Sequence, residues 1–316
     1  MVTAIKPGWS RPAAILFASE IPVNEKAFGF ALAEAAEFGA ELILFHAHES
    51  SSAPIPEGTG KNYDYAGCEA ERQRLEPLAQ RAGKLGIRCK IVVRPGLAAE
   101  QILKFVREQR VDRVVISTHT PGPVGKLLVG SVAEEVLRSA PVPVDIVGPE
   151  VVEGAYRHIS KRTILCSVGA LDSRRVVVSF AAELAARYHA NLILQHVIPP
   201  QDSAALAGRT LSQIEAELPT MIPPGLQHKV SVHSRAVLGD PTEELLYQGR
   251  SLHANLIVMG AQGVSRFNAI TRAGIVYKVL AYAQCPVITL SPVVLSFCDA
   301  LRYQPHQSEL RLAGVF

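Results

Sequence analysis

Two segments of the chain combine residue types that suit the binding of a phosphate group. The first contains Gly260, Gly263 and Gly274, and the second contains Gly130 and Ser131. Glycine lets the backbone approach an anion closely, and the first turn of a helix offers unpaired N–H groups and the positive end of the helix dipole. If each segment leads into a helix, its chemistry is therefore anion binding.

The residue patterns of other chemistries are missing from the sequence. No Gly-x-Ser-x-Gly elbow occurs, and the near matches to a P-loop at residues 58–62 and 122–127 lack the Ser or Thr after lysine. His46 and His48 would share one strand face, but no third ligand stands near them. The sequence thus predicts no catalytic residues and no metal site, and at most weak hydrolysis of a nucleotide.

Both glycine segments belong to an internal repeat, which supplies the elements that would position them. Residues 31–47 recur at residues 181–197, and residues 96–103 recur at residues 239–246. An insertion between the second and third strands of the first copy accounts for the change in spacing. A repeat of this length is a duplicated domain. We predict a first domain at residues 1–150, a second at residues 151–291 and a tail at residues 292–316.

Each copy alternates short apolar runs with helical patterns, which indicates an α/β protein with two tandem doubly wound five-stranded parallel sheets. The predicted strands of the first copy are Ala13–Ser19, Leu42–His48, Cys89–Arg94, Arg113–Ser117 and Val142–Val147. Those of the second copy are Thr163–Val168, Leu192–Val197, Lys229–Val237, Leu256–Met259 and Val287–Leu290. Ligands of such sheets bind beyond the carboxyl ends of the strands, where strand order reverses, and both glycine segments follow a fourth strand.

The repeat resembles the universal stress protein family, and the whole chain resembles its tandem two-domain members. The resemblance covers roughly residues 12–148 and 161–291. It rests on the order of elements, the histidines His46 and His196 at the ends of the second strands, the Gly-x-x-Gly segment and the closing Pro-Val strands. It implies an adenine-nucleotide alpha-hydrolase-like fold whose domains pair through their fifth strands as an internal pseudo-dimer. Nucleotide binders of the family hold ATP with this loop, with an Asp after the first strand and with a residue after the second-strand histidine.

The second copy departs from the family pattern in one half of the loop. It keeps Gly260 and Gly263, but Ala273 and Gly274 stand where the family has Gly-Ser, and Gly169 stands at the Asp position. The resemblance nevertheless gives this copy a set of candidate nucleotide contacts. They are Ser167, Val168, Gly169, Val197, Met259, Gly260, Gly263, Gly274 and Ile275.

The first copy departs in the other half. It keeps Gly130 and Ser131, but Ser117 and Thr120 replace the first pair of glycines, and Glu20 takes the Asp position. Its candidate contacts are Glu20, Gly130, Ser131 and Val132. Ser131 would also serve as a helix cap with or without an anion. The two copies have therefore lost different halves of one binding motif.

Three functions remain open at this point. The first is a non-catalytic stress-response protein that binds ATP or AMP in one copy, for which the second copy is favoured. The second is a stress-related interaction scaffold whose nucleotide sites have decayed. The third, an enzyme of the wider nucleotide-binding α/β group, has no motif that supports a reaction.

Composition bounds the partners and the compartment. The 316 residues hold 32 Lys and Arg against 29 Asp and Glu, with no run of five like charges, which argues against nucleic acid or a membrane surface as partner. No apolar run approaches the roughly 18 residues of a spanning helix. The five scattered cysteines indicate a reduced, cytoplasmic protein. We expect an adenine nucleotide as ligand and intramolecular domain pairing, with a homodimer or a protein partner left open.

Overall fold

The computed structural model describes residues 7–49, 65–118, 130–154, 162–169, 174–202, 208–261 and 274–302. Its strands are β1 (Ala14–Ala18), β2 (Glu41–His48), β3 (Cys89–Pro95), β4 (Arg113–Ser117), β5 (Val144–Val147), β6 (Thr163–Ser167), β7 (Asn191–Ile198), β8 (Ser231–Leu238), β9 (Leu256–Gly260) and β10 (Val287–Leu290). Its helices are α1 (Pro7–Ser10), α2 (Glu25–Phe38), α3 (Tyr65–Lys84), α4 (Ala98–Glu108), α5 (Ser131–Ser139), α6 (Arg174–Tyr188), α7 (Leu211–Glu217), α8 (Pro241–Ser251), α9 (Ile275–Tyr282) and α10 (Pro292–Arg302), with a short 3-10 helix at Leu218–Met221.

These strands form one ten-stranded sheet in the order β3-β2-β1-β4-β5-β10-β9-β6-β7-β8. Each half is a doubly wound parallel sheet, so the predicted fold class is confirmed. The strand bounds agree with the predicted ones to within two residues. The sequence predicts that the fifth strand begins at Val142, but β5 begins at Val144. Pro143 has no N–H group to donate to the neighbouring strand, so the strand begins after it.

The halves are joined by the only antiparallel pair among the described strands, β5 with β10. In this pair Asp145 lies opposite Ile288, flanked by Ile146 opposite Val287 and Val144 opposite Thr289. Asp145 and Ile288 are equivalent positions of the repeat, since Pro143-Val144 recurs as Pro286-Val287. A pseudo-two-fold axis therefore passes between them, and the pairing of the two halves is isologous as in a symmetric dimer. The expected internal pseudo-dimer is confirmed.

The two faces of the sheet carry different helices, because right-handed crossovers that run in opposite directions across a sheet lie on opposite faces. One face, called the α2 face, is covered by α2, α3 and α6. The other, called the α8 face, is covered by α4, α5, α8 and α9. Gly249 of α8 accordingly lies over Leu165 and Ile257. On the α2 face Phe38 and Tyr188, which are equivalent positions of the repeat, meet at a ring distance of 5.5 Å.

A buried ionic cluster lies under this contact. Arg113 donates to Glu34 Oε2 at 2.8 Å and to the carbonyl of Trp9 at 2.8 Å. Tyr188 donates its hydroxyl to the same Glu34 oxygen at 2.6 Å. The carboxylate of Asp145 lies 3.7 Å from Arg113, and neither of its oxygens has a hydrogen-bond partner among the described residues. The second copy supplies the Tyr188 hydroxyl to this cluster, and the positive charge of Arg162, also of the second copy, lowers the pKa of Glu34.

The protonation of this cluster follows from its contacts. Burial raises the pKa of Asp145 to about 8, against the opposing pull of Arg113. Burial also raises the pKa of Glu34, which Arg113 and the Tyr188 hydroxyl pull back down. Because Glu34 accepts two hydrogen bonds and Asp145 accepts none, Glu34 carries the negative charge beside Arg113 and Asp145 keeps its proton near neutral pH.

Replacing Asp145 by asparagine should remove a pH dependence of stability. The folded protein holds a proton on Asp145 from the usual pKa of 3.8 up to about 8, and the unfolded chain releases it, so the free energy of unfolding falls as pH rises through this window. Asparagine mimics the protonated acid and does not titrate. In urea unfolding at pH 5, 7 and 8.5, the unfolding free energy of the variant relative to that of the native protein should rise by more than about 1 kcal/mol from the lowest to the highest pH. Parallel pH curves for the two proteins would contradict the assignment.

The tail is ordered at least as far as α10. Val294, Leu295 and Cys298 of this helix are buried, and the ring of Phe297 lies 6.1 Å from that of Trp9. Leu295 packs over Gly260 at the carboxyl end of β9. Residues 292–302 of the tail therefore pack on the core as α10, and residues 303–316 lie outside the described part of the chain.

Candidate functional site

The strand order reverses at two places, between β1 and β4 and between β6 and β9. Ligands of open parallel sheets bind beyond the carboxyl ends of strands at such places. We call them the first-copy edge, beyond Ala18 and Ser117, and the second-copy edge, beyond Ser167 and Gly260. Because β5 and β10 are antiparallel, these edges lie at opposite ends of the sheet.

The two strand-end histidines make the same contact in both copies. His46 Nδ1 lies 2.9 Å from the carbonyl oxygen of Ser19, and His196 Nδ1 lies 2.7 Å from that of Val168. A carbonyl only accepts, so each Nδ1 carries the proton and donates it. The histidines therefore tie the end of the second strand to the segment after the first strand in both copies.

The helix at the second-copy edge begins without a capping side chain. Helix α9 starts at Ile275 behind Gly274, which has no side chain to accept a hydrogen bond. Other helices are capped by side chains, as α2 is by Asn24, α7 by Thr210 and α8 by Asp240. The cap at Asp240 is followed by Pro241 in the first turn of α8. The first turn of α9 keeps its N–H groups directed at the edge where an anion would sit.

Helix α5 at the first-copy edge begins in a similar way. Its cap residue is Gly130, whose φ of +84° suits glycine best. The prediction that Ser131 caps this helix is wrong: Ser131 is the first helical residue, and the cap position has no side chain. Val132 follows it half-buried, and Glu20 is exposed. The hydroxyl of Thr118, just beyond β4, is buried without a partner among the described residues.

The candidate contacts of the second copy divide between the two faces of the sheet. Ser167, Met259, Val197 and Gly169 lie on the α8 face or directly beyond it, because side chains alternate along a strand and Leu165 and Ile257 face α8. Val168 is buried on the α2 face. Ile275 is 41% exposed at the start of α9. Gly263 lies outside the described residues, as does the rest of the loop at residues 262–273.

A side chain at Gly260 would face the α2 side of the sheet, opposite to the α8 face on which most of these contacts lie. A Cβ atom there would lie 3.4 Å from Leu295 Cδ1 and 3.5 Å from Val177 Cγ2. Both side chains belong to helices on or beside the α2 face. The absence of a side chain at Gly260 therefore lets α6 and α10 pack closely against this strand end.

Sequence reasoning missed one residue of this edge, Gln195 of β7. It is paired in register with Ser167 on one side and Arg235 on the other, so the three side chains share the α8 face. Gln195 is 1% exposed, and both its Oε1 and its Nε2 have no hydrogen-bond partner among the described residues. The signal was available in the repeat, where the segment LILFHA of the first copy returns as LILQHV.

The row of side chains under this edge is polar in one copy only. In the second copy Arg235 Nη1 donates to Gln248 Oε1 of α8 at 2.9 Å. The equivalent positions of the first copy form an apolar row, in which Phe45 packs on Phe105 of α4 at 5.2 Å. Ala18 and Val92 flank Phe45 in register. The second-copy edge thus has a polar floor, made of Ser167, Gln195 and Arg235, that the first-copy edge lacks.

Neither a metal cluster nor a membrane-spanning helix occurs in the part of the chain that the structure describes. No group of three His, Cys, Asp or Glu side chains there could hold a metal ion. No helix there has the length and apolarity to cross a membrane. Burial raises the pKa of Cys166 and of Cys285 to about 12, so both thiols stay protonated and inert.

Comparison with known proteins gives the same family for both halves of the chain. The model of the universal stress protein family matches residues 14–148 and again residues 161–291. A universal stress protein of Mycolicibacterium smegmatis is 22% identical over 291 residues, which is 85% of this chain and 93% of that protein. One from Thermus aquaticus is 32% identical over 125 residues, which is 39% of this chain and 88% of that protein. The crystal structure of a universal stress protein from Archaeoglobus fulgidus covers 88% of this chain and 98% of its own with a TM-score of 0.63 at 19% identity.

Proposed function

Because the chain belongs to the universal stress protein family, we propose that it is a non-catalytic stress-response protein that binds an adenine nucleotide, ATP or AMP, at its second-copy edge. The observation that carries this proposal is the uncapped first turn of α9. It lies where the order of strands reverses, behind Gly274, and offers N–H groups and a helix dipole to a phosphate group. Gly169 and Val197 border the same edge, where a ribose would lie.

Binding should be visible as thermal stabilisation. A ligand at 100 times its Kd adds about 2.7 kcal/mol to the free energy of unfolding. We therefore expect millimolar ATP or AMP to raise the melting temperature by several degrees in a thermal shift assay. The absence of any shift with either nucleotide would refute the proposal.

A pair of proline variants distinguishes the two edges. Proline is well tolerated at the first position of a helix, where it removes one N–H donor. Ile275→Pro should therefore weaken ATP binding about tenfold while the protein stays folded. The matched control is Ser131→Pro, which removes the equivalent donor at the first-copy edge and should leave binding unchanged. The reverse pattern would move the site to the first copy, where Gly130, Glu20 and the Thr118 hydroxyl, which no described residue pairs with, would form it.

A scaffold function is the second candidate, and one surface of the first copy favours it. A groove of about 750 Å³ runs between α4 and α5. Its lining combines Leu97, which is 64% exposed, with the charged side chains of Glu100, Lys104 and Arg107. The groove lies on the α8 face, on the outer side of α4 and α5. A protein that shows no nucleotide-dependent shift would be assigned this function instead.

A further inference from the structure

The amide of Gln195 is a buried polar group that no other described residue of the chain pairs with. The side chain is 1% exposed, and neither its oxygen nor its nitrogen has a hydrogen-bond partner among the described residues. Buried polar groups are nearly always paired, and one that is not calls for a ligand, a water molecule or a functional reason. An amide that is unpaired in the free protein is therefore suited to be paired in a complex.

The position of Gln195 makes it the floor of the second-copy edge. It lies on the α8 face in register with Ser167, which is the last residue of β6. Val197, two residues further along β7, is on the same face and nearer the edge. Helix α9, whose uncapped first turn faces the same edge, packs with α8 on this face. A ligand with its phosphates at Gly274 and Ile275 would place its other end toward β6 and β7.

The chemistry of the floor suits a nucleobase better than a second phosphate. An amide is neutral and presents a donor and an acceptor side by side, which matches the amino group and adjacent ring nitrogen of a 6-aminopurine. We propose that Gln195 recognises the base of the nucleotide at the second-copy edge by a two-point hydrogen bond to the edge of adenine. This inference rests on the proposed function and adds to it the residue that selects the base.

The first copy provides an internal contrast. There the equivalent residue is Phe45, which fills the same place by packing on Phe105 at 5.2 Å. The side chains at this place in the first copy are apolar, so they leave no polar atom for a ligand to pair with. The proposed base recognition is therefore confined to the second copy.

A comparison of two ligands on two proteins isolates the contact. The ligands are ATP and purine riboside triphosphate, which lacks only the 6-amino group. The proteins are the full native chain and Gln195→Met, which keeps the length of the side chain and removes its donor and acceptor. We expect the native protein to prefer ATP by about tenfold in calorimetric titration and the variant to bind both ligands equally. Equal preference in the native protein, or the same preference in the variant, would overturn the assignment of Gln195.

The melting temperature of the free protein provides a second measurement, because we expect it to rise in the variant that loses its preference for ATP. Gln195→Met removes an unpaired polar group from the interior, so the free variant should melt a few degrees higher than the native protein while its preference for ATP is lost. The matched control is Ser179→Ala on α6, which removes a different buried polar group, a hydroxyl without a described partner, away from the α8 face. It should change the melting temperature and leave the preference for ATP intact. A chain that binds neither ligand refutes the proposed function itself, whereas a chain that binds both without discrimination refutes only the role of Gln195.

Discussion

Replacing Arg113 by methionine should cost the protein about 3–5 kcal/mol of unfolding free energy, the largest effect we expect from a single substitution. Arg113 is fully buried and is the cation beside both Glu34 and Asp145. Without it Glu34 keeps one hydrogen bond, from the Tyr188 hydroxyl at 2.6 Å, and the favourable charge of Arg162. Urea unfolding at pH 7 measures the loss directly.

A combined replacement is the control for this experiment. Substituting Glu34→Leu, Arg113→Leu, Asp145→Ile and Tyr188→Phe gives the cluster the side chains found at the equivalent positions of the other copy. A buried ionic cluster exchanged as a whole for apolar residues is often neutral or stabilising. We expect the fourfold variant to be at least as stable as the native protein. If it were as unstable as the single Arg113 variant, the loss would come from packing and not from unpaired charge.

Replacing Gly148 by alanine should be nearly as damaging, at about 3 kcal/mol, because the added atom has no room. Its Cβ would lie 2.2 Å from the carbonyl oxygen of Leu280 in α9. Gly148 follows β5 in the first copy and α9 belongs to the second, so the clash would act between the two halves. A chemical denaturation curve would record the loss of stability.

Gly83→Ala is the matched comparison. Gly83 lies within α3, and a Cβ there would meet nothing within 4 Å. In a helix alanine is favoured over glycine by about 0.5–1 kcal/mol, so this variant should be slightly more stable than the native protein. Similar effects at the two glycines would mean that Gly148 and Leu280 are not in close contact in solution.

Much of this architecture could be predicted from local patterns. Continuous apolar runs such as Arg113–Ser117 predicted the strands, since a strand buried on both faces leaves no polar alternation. An Asp followed by Pro is typical of a helix start, and Asp240-Pro241 stands at the start of α8, because capping depends on neighbouring residues only. The repeat predicted two equivalent halves, and the family resemblance predicted how they pair.

What could not be predicted depends on residues that meet across long stretches of chain. An arginine at the start of an apolar strand, such as Arg113, is typical of a solvent-exposed strand end. In the structure this side chain is buried and donates to Glu34 and to the carbonyl of Trp9. The sequence pattern at Gly260 indicates a glycine of a ligand-binding loop. In the structure Leu295 of the tail packs against it. The polar character of Gln195 was visible in the sequence, but only the packing of α8 shows that its amide has no partner there.

The antiparallel contact of β5 and β10 has a consequence for how such a chain can change. In a dimer of two identical chains every substitution at the axis occurs twice, so an aspartate at position 145 would face another aspartate at the centre of the interface. Here Asp145 faces Ile288, and each half can be altered alone. Fusion of the two copies has released them from the constraint of symmetry. One copy could therefore acquire a charge cluster or a polar floor without imposing it on the other.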